Sequence, residues 1–549
     1  MEVQTTLEDT SPVGRPGVGQ RVTGSRNAHL AGVGVLTVLM AAVSAVYALN
    51  RYYTFRSSSY DLVIFDQAVR SYAHFRPGIS IIKGVHNGFG PNFSVLGDHF
   101  SPILASLAPL YWIFDGPQTL LLAQAVLFAL AIPPLWVFAR RVFGDRPKAT
   151  AAAYLVCVAY GLSWPLAAAT AADFHEVAFA PVLTAVALER FGAGRLRSAL
   201  IALAALLLVK EDMGLLVAGI GCYLAVSRPR TVRRQWLVGI ACVVLGVAYT
   251  AVGVYVLIPA FGGRANYYWA YSNLGANVQQ AAWHLIIHPI SSLQLLFTPS
   301  VKLHTMLWLF GAFCFLSLLS PITLAAVPLL LERMLNSKFP NWWVTSFQYN
   351  AYLVVVLVCA AVDGAARLDR WTTRIRQYLA GRRRSPARVG SESAAGALGA
   401  RGTSAVALGC TVAMVVVALY SVPHFGLGAV LHRSFYDRTK RMQAAAAAIA
   451  AVPPGVTVEA ANTVGPQLSA RDSVLLWDGD GYTPIGGAPW VVADVRGREF
   501  TFHDVGEQIQ RVRLLERYGY RIVFERAGYV VLYDGSWRPD QARMKVAPR

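Results

Sequence analysis

The chain has 549 residues, of which 55% are hydrophobic and only 14% charged, and its mean hydropathy is +0.44. Soluble domains carry about 25% charged residues, so this balance excludes a soluble enzyme, a disordered chain and a fibrous protein. It leaves a polytopic α-helical membrane protein. The net charge of +19 comes from 49 basic and 30 acidic residues; it is the Lys and Arg excess that membrane proteins gather in cytoplasmic loops, and it implies no nucleic-acid partner.

Residues 1–28 are polar and read as a disordered cytoplasmic tail carrying Arg15, Arg21 and Arg26. Apolar runs at 30–49, 120–139, 151–168, 177–188, 200–209, 213–226, 236–258, 307–319, 322–331, 352–362 and 405–422 predict about eleven transmembrane helices within residues 29–423. Several runs are shorter than the roughly 20 residues a perpendicular span needs. Four basic clusters fall between them: Arg140, Arg141, Arg146 and Lys148; Arg190, Arg195 and Arg197; Arg228, Arg230, Arg233 and Arg234; and the loop 367–403, with Arg382, Arg383 and Arg384. Placing all four inside puts the amino terminus in the cytoplasm, residues 51–117 and 259–301 outside, and the carboxyl-terminal segment outside. The expected location is a bacterial plasma membrane, since the Ala-, Val-, Gly- and Arg-heavy composition suits a GC-rich bacterial genome. All six cysteines lie in apolar runs and read as packing residues, with no disulfide framework.

Within the first outer loop, Ser101-Pro102 signals a helix start and opens an interfacial helix over 103–114. The second outer loop carries the interfacial aromatics Tyr267, Tyr268, Trp269, Tyr271 and Trp283. Residues 424–549 have globular composition. They predict a helix over 436–451, strands at 456–460, 474–477 and 491–493, a helix over 505–517 and a hairpin of 521–525 with 529–533, hence a small extracytoplasmic α/β domain.

The unusual polar residues gather at the outer ends of the spans: Asp61, Asp66, Asp98 and His99 in the first loop, Asp173, His175 and Glu176 in the next turn, Lys210 with Glu211 and Asp212 in the one after, and Arg264, His284 and His288 in the second loop. Ionisable groups at membrane depth are costly to desolvate, which makes them functional candidates. Bland readings stand beside each: Asp173 as a helix cap, Lys210 with its acidic neighbours as a salt bridge, the two histidines as interfacial rather than metal-binding, and Asp478, Asp480 and Asp494 as turn or strand-end residues.

The segments YDLVIFDQAV (60–69), LGDHFSPILASLAPLY (96–111), DFHEVAFAP (173–181) and LLLVKEDMGLLVA (206–218) resemble a domain-of-unknown-function family of predicted polytopic bacterial membrane proteins. The resemblance runs from about residue 50 to about 540, outside the tail and the basic insert. That family is similar in layout to the GT-C glycosyltransferases, multispan enzymes that take a sugar from a polyprenyl-phosphate donor and carry a catalytic carboxylate in the first outer loop. The resemblance implies a transferase acting on an envelope glycan, lipid or protein acceptor. Asp61 or Asp66 would be the base, Lys210 or Arg264 the phosphate site, and Asp173 a donor-binding residue. Asp98, His99, His175 and Glu176 would bind the sugar or a divalent metal, Mg or Mn. This loop lacks the adjacent Asp-Asp or Asp-Glu pair. The alternatives are a non-catalytic envelope assembly protein and a transporter or flippase of a lipid-linked precursor.

Overall fold

The structure is a computed structural model that describes residues 18–144, 147–227, 233–265, 269–382, 392–479 and 486–538. Arg15, Arg146, Arg228, Arg230, Arg383 and Arg384, the aromatics Tyr267 and Tyr268, and Asp480 lie outside the described residues. Among the described residues six helices are long and apolar enough to cross a membrane: Asn27–Tyr53, Gln118–Phe143, Pro147–Ala171, Gln235–Ala260, Gln348–Leu379 and Ala405–His424. The protein is a multi-pass membrane protein. The other five predicted spans coincide with shorter pieces, Phe179–Gly192, Leu196–Leu207, Met213–Val226, Ser300–Gly311 and Val327–Leu335. The chain breaks after Gly311, where Cys314 and Phe315 take positive φ, so the run at 307–319 is not one continuous helix. The first helix begins at Val18, within the stretch that composition reads as tail.

Close approach of two helices fixes one flank of the bundle. A Cβ on Gly214 would lie 2.3 Å from the Gly246 carbonyl oxygen, and one on Gly221 would lie 2.5 Å from that of Gly239. Small residues therefore let Met213–Val226 and Gln235–Ala260 pack backbone to backbone. That contact brings the Thr250 hydroxyl to the Glu211 carbonyl oxygen at 3.0 Å, which ties down the turn at 210–212. At the basic end, Arg141 pairs with Glu189 at 2.7 Å and Arg367 with Asp363 at 2.6 Å.

The interfacial helix expected over 103–114 forms as a 3-10 turn, Pro102–Leu107, continued by one α-turn, Ala108–Tyr111. Leu110, Trp112, Ile113 and Phe114 are exposed beside it. The predicted carboxyl-terminal elements are present. Strands β1 (Thr457–Ala460), β2 (Ser473–Leu476), β3 (Trp490–Asp494), β4 (Arg521–Arg526) and β5 (Tyr529–Tyr533) form one sheet in the order β2-β1-β3-β5-β4. The three strands β2, β1 and β3 run parallel, and β5 is antiparallel to both β3 and β4. The β4–β5 turn is Ala527-Gly528 with φ of 52° and 91°, the double positive φ that a tight hairpin needs. The helices Lys440–Ala450 and Val505–Arg517 accompany the sheet.

The sheet domain is seated on the first loop. Asn462 accepts hydrogen bonds from the Tyr60 and Ser59 backbone amides, at its side-chain oxygen (2.9 Å) and its carbonyl (2.7 Å). Gln67 donates to the Val474 carbonyl at 2.9 Å, Gln467 to that of Tyr52 at 2.6 Å, and His86 meets buried Asp478 at 2.7 Å. Asp478 is thus an anchor between domain and loop rather than a free turn residue.

Candidate functional site

A cavity of about 840 Å³ opens at the end of the bundle that carries the sheet domain. Seven of the nine candidate residues line it: Asp61, Asp98, His99, Asp173, His175, Glu176 and Lys210. They arrive from three separate stretches of chain, and the local structure explains each placement. Asp61 sits in a π-helical turn, Ser59–Val63, whose widened backbone precedes the helix Ile64–Ala73. Asp173 takes φ +63°, the left-handed conformation in which Asp is among the tolerated residues. Its carboxylate caps no helix of its own; it accepts from the Ser58 amide at 2.8 Å and so pins the turn that presents Asp61. Gln124 holds the other side of the same turn, donating to the Asp173 carbonyl (2.8 Å) and accepting from the His175 amide (3.2 Å).

The charged groups in the cavity are paired across these segments. His175 Nε2 lies 3.5 Å from Asp61 Oδ1, Lys210 Nζ lies 3.3 Å from Glu176 Oε1, and His99 Nδ1 lies 2.8 Å from Glu211 Oε1. Lys83, which sequence reasoning missed, lies 3.0 Å from Asp98. Nothing in its local sequence marks it, because only the fold brings the helix Ile81–His86 against the loop at 98. The Asp61 side chain is 37% exposed, whereas Glu176 is buried and its Oε2 has no hydrogen-bond partner.

Burial shapes the titration of this end. Desolvation pushes the Asp173 carboxyl up to about 6, against Arg51 and the Ser58 amide, which lower it. Desolvation lowers Lys210, but Glu176, Asp212 and Glu211 outweigh it and hold the ammonium well above its ordinary value. For His175, burial lowers the pKa, and the adjacent Asp61 and Glu176 more than reverse that, so it is raised.

Two candidates fall outside this cavity. Asp66 is fully buried: Arg70 grips both its oxygens at 2.8 and 3.1 Å, and the Tyr111 hydroxyl donates to it at 2.8 Å. Arg70 also reaches Asp115 at 2.7 Å. Asp66 is therefore corrected from candidate base to an anchor of the first loop, since it is fully buried on Arg70 and Tyr111 and does not line this cavity. Arg264 lines a second, smaller cleft of about 320 Å³. It is placed there by contact of two glycines: a Cβ on Gly263 would lie 1.8 Å from the Gly97 carbonyl oxygen. The cleft shares Asp98, His99, Lys210, Trp342 and Tyr349 with the larger cavity. Its remaining wall has an apolar side, with Leu215, Val247, Ala251, Val254, Tyr255 and Ile258, and a charged side, with Glu211, Asp212, Glu332 and Arg333.

The metal expectation does not fit these residues. Among the described residues no group of three or more His, Cys, Asp or Glu side chains is arranged to hold a metal ion. Asp98 and Glu176 each face a lysine, while His99 and His175 face separate carboxylates. His284 and His288 lie with ring centroids 4.8 Å apart and planes tilted by 49°, on the exposed helix Val278–Ile287 and its end, and neither lines the cavity or the cleft.

The profile of a family described as DUF2079, predicted membrane protein, matches residues 51–531. The chain belongs to this DUF2079 family. The matched range takes in both cavities and the sheet domain and omits the amino-terminal stretch. No curated protein matches this DUF2079 member. Solved structures that resemble it loosely include two states of one protein. ArnT from Cupriavidus metallidurans bound to undecaprenyl phosphate gives a TM-score of 0.49 at 14% identity, covering 91% of this chain and 98% of that one. The apo state of the same protein gives 0.45 at 12% identity, covering 92% and 98%. Both scores are too low to carry the reaction of one protein over to the other.

Proposed function

We propose that this protein is an integral membrane glycosyltransferase that moves a sugar from a polyprenyl-phosphate donor to a hydroxyl of an envelope glycan, lipid or protein. The observation that supports this reading most is the junction of the two cavities. A polar chamber with a half-open carboxylate, Asp61, adjoins a cleft with an apolar side, and Asp98, His99 and Lys210 belong to both. An amphiphile with an isoprenoid tail, a phosphate and a sugar matches that sequence of surfaces. The tail would lie in the cleft against Val247, Val254 and Ile258, the phosphate at the cations of the junction, and the sugar in the chamber.

In this reading the acceptor hydroxyl oxygen forms a bond to the anomeric carbon, and the carbon–oxygen bond to the phosphate breaks. The electron pair leaves with the polyprenyl phosphate, whose charge Lys210 and Arg264 stabilise. The acceptor proton passes to Asp61, the cavity carboxylate that is neither buried nor paired with a lysine or arginine. His175, 3.5 Å away, orients that carboxylate. No step is assigned to a metal. The reading keeps the expected topology, amino terminus in the cytoplasm and sheet domain outside, because the described basic residues Arg140, Arg141 and Arg190 end helices whose other ends lead to the cavity.

The test is release of polyprenyl phosphate from a panel of polyprenyl-phosphate sugars by the protein in lipid nanodiscs, read by mass spectrometry. Release that Asp61→Asn abolishes, and that a chelator leaves unchanged, supports the reading. Release that proceeds at the wild-type rate in Asp61→Asn removes Asp61 from the chemistry.

A further inference from the structure

One wall of the large cavity comes from the sheet domain, some four hundred positions along the chain from the loop it faces, and two of its residues are unusual for where they stand. Phe500 lines the cavity and remains 47% exposed. Its ring stands 5.1 Å from that of Tyr60 at 37° and 6.3 Å from that of His86. Tyr60 is fixed by its own contacts: its hydroxyl donates to Asn87 at 3.1 Å, and His86 meets its ring edge-on at 5.0 Å. Phe500 is thus backed by a rigid aromatic surface and presents its remaining ring area to the cavity. Its place in the lining of a concave polar chamber, rather than its exposure alone, is what suits it to a ligand.

Asn462 stands on the same wall. Its side-chain oxygen is occupied, accepting from the Tyr60 amide at 2.9 Å and the Ser58 hydroxyl at 3.2 Å. Those two bonds fix the amide plane and leave the Nδ2 donors without a protein partner among the described residues. Neither Phe500 nor Asn462 lines the cleft. The lipid-linked donor enters the chamber from the cleft, so this wall belongs to the other reactant.

We propose that Phe500, backed by Tyr60, and the Asn462 amide form an acceptor subsite for a carbohydrate, in which a sugar ring lays its apolar C–H face on Phe500 and a hydroxyl accepts from Asn462. A flat aromatic face beside a fixed amide donor matches the two surfaces of a pyranose or furanose ring, one apolar and one hydroxylated. A peptide backbone or an acyl chain has no ring with one apolar and one hydroxylated face. This inference rests on the transferase reading for the direction of donor entry and narrows the acceptor to a glycan.

The experiment measures binding without catalysis, so that its failure is separate from failure of the transferase reading. Full-length protein in nanodiscs is titrated with hexasaccharides of mannose, arabinose, galactose and glucose, with no donor present, and binding is read by ligand-observed saturation-transfer NMR and calorimetry. At least one hexasaccharide is expected to bind wild type. Phe500→Ala is expected to weaken that binding about tenfold, the loss of one aromatic contact, Phe500→Trp to retain it, and Asn462→Asp, which replaces donors by an acceptor, to weaken it similarly. Phe500 is exposed, so its variants keep the fold, and a melting curve checks this. Wild-type affinity in both Phe500→Ala and Asn462→Asp overturns the subsite. So does the absence of binding by any hexasaccharide to wild type, whatever the donor-release assay shows.

Discussion

Two long connections leave the same end of the bundle, 51–117 and 259–301, and they differ in what holds them. The first is knitted into the molecule: Asp66 grips Arg70, Lys83 meets Asp98, and Tyr60 and Gln67 bond to the sheet domain. The second carries the helix Val278–Ile287, which buries none of its residues, with Trp283, Ile286 and Ile287 exposed. Both stretches are aromatic and both hold ionisable residues. The difference shows that a polar chamber wall requires partners for its groups, because a buried polar group is stable only when another group satisfies it. The open helix instead presents a surface suited to a membrane interface, and of the second connection chiefly the stretch around Arg264 and Tyr271 reaches a cavity.

The largest test of this contrast is Asp61→Asn, which is expected to lower donor turnover by about 10²- to 10⁴-fold, the range of general-base removal, with an unchanged melting temperature. Asp66→Ala should do the opposite. It leaves the partly exposed Arg70 with Asp115 alone and the buried Tyr111 hydroxyl without its acceptor, and costs about 1–3 kcal/mol of stability, measured by chemical or thermal unfolding, while turnover per folded molecule is retained at permissive temperature.

Asp173→Asn sharpens the comparison through pH. The folded-state pKa of Asp173 is pushed from 3.8 up to about 6 by burial. The folded protein therefore holds this proton more tightly than the unfolded chain does. Stability from this group is full below about pH 4 and is lost as pH rises toward 6, at about 1.4 kcal/mol per pH unit. Asn keeps the acceptor for Ser58 and tolerates positive φ, so the variant should melt higher than wild type at pH 7.5 and equally at pH 4. A variant that melts lower than wild type at pH 7.5 and equally at pH 4 would show that the charge itself holds the turn.

Arg264→Ala is expected to raise the KM for donor severalfold with a smaller change in kcat, as loss of one partly exposed phosphate contact should. The smallest effect belongs to His284→Ala with His288→Ala. Both lie on the unpartnered helix end, and stability should change by no more than about 0.5 kcal/mol, with donor turnover and chelator response unaltered. A metal-dependent loss of turnover in that double variant would reverse the ranking of the two connections.

Much of this was legible in the sequence because burial leaves a one-dimensional trace. Apolar runs located the helices, and short strand-like runs bounded by turn residues located the sheet, with the helix Val505–Arg517 and the hairpin around Gly528. The basic clusters assigned the polar turns to one end, and seven of the nine candidate residues meet there. Asp61 and Asp66 lie five positions apart, and the one local feature that separates them is Arg70, four residues after Asp66 on the same helix. The π-helical turn and the arrival of Arg70 and Tyr111 make one a cavity carboxylate and the other an anchor. Lys83, Asn462 and Phe500 were silent for the same reason. Sequence pattern reports whether a residue is in or out, while partners from distant stretches are chosen by the packing of helices and sheet, which no local period encodes. The sequence by itself thus determined a multispan protein with its polar groups gathered at one end and a small α/β domain after the last span. Only the tertiary structure decided that this domain forms a wall of the chamber, because that wall is made of contacts across some four hundred positions of chain.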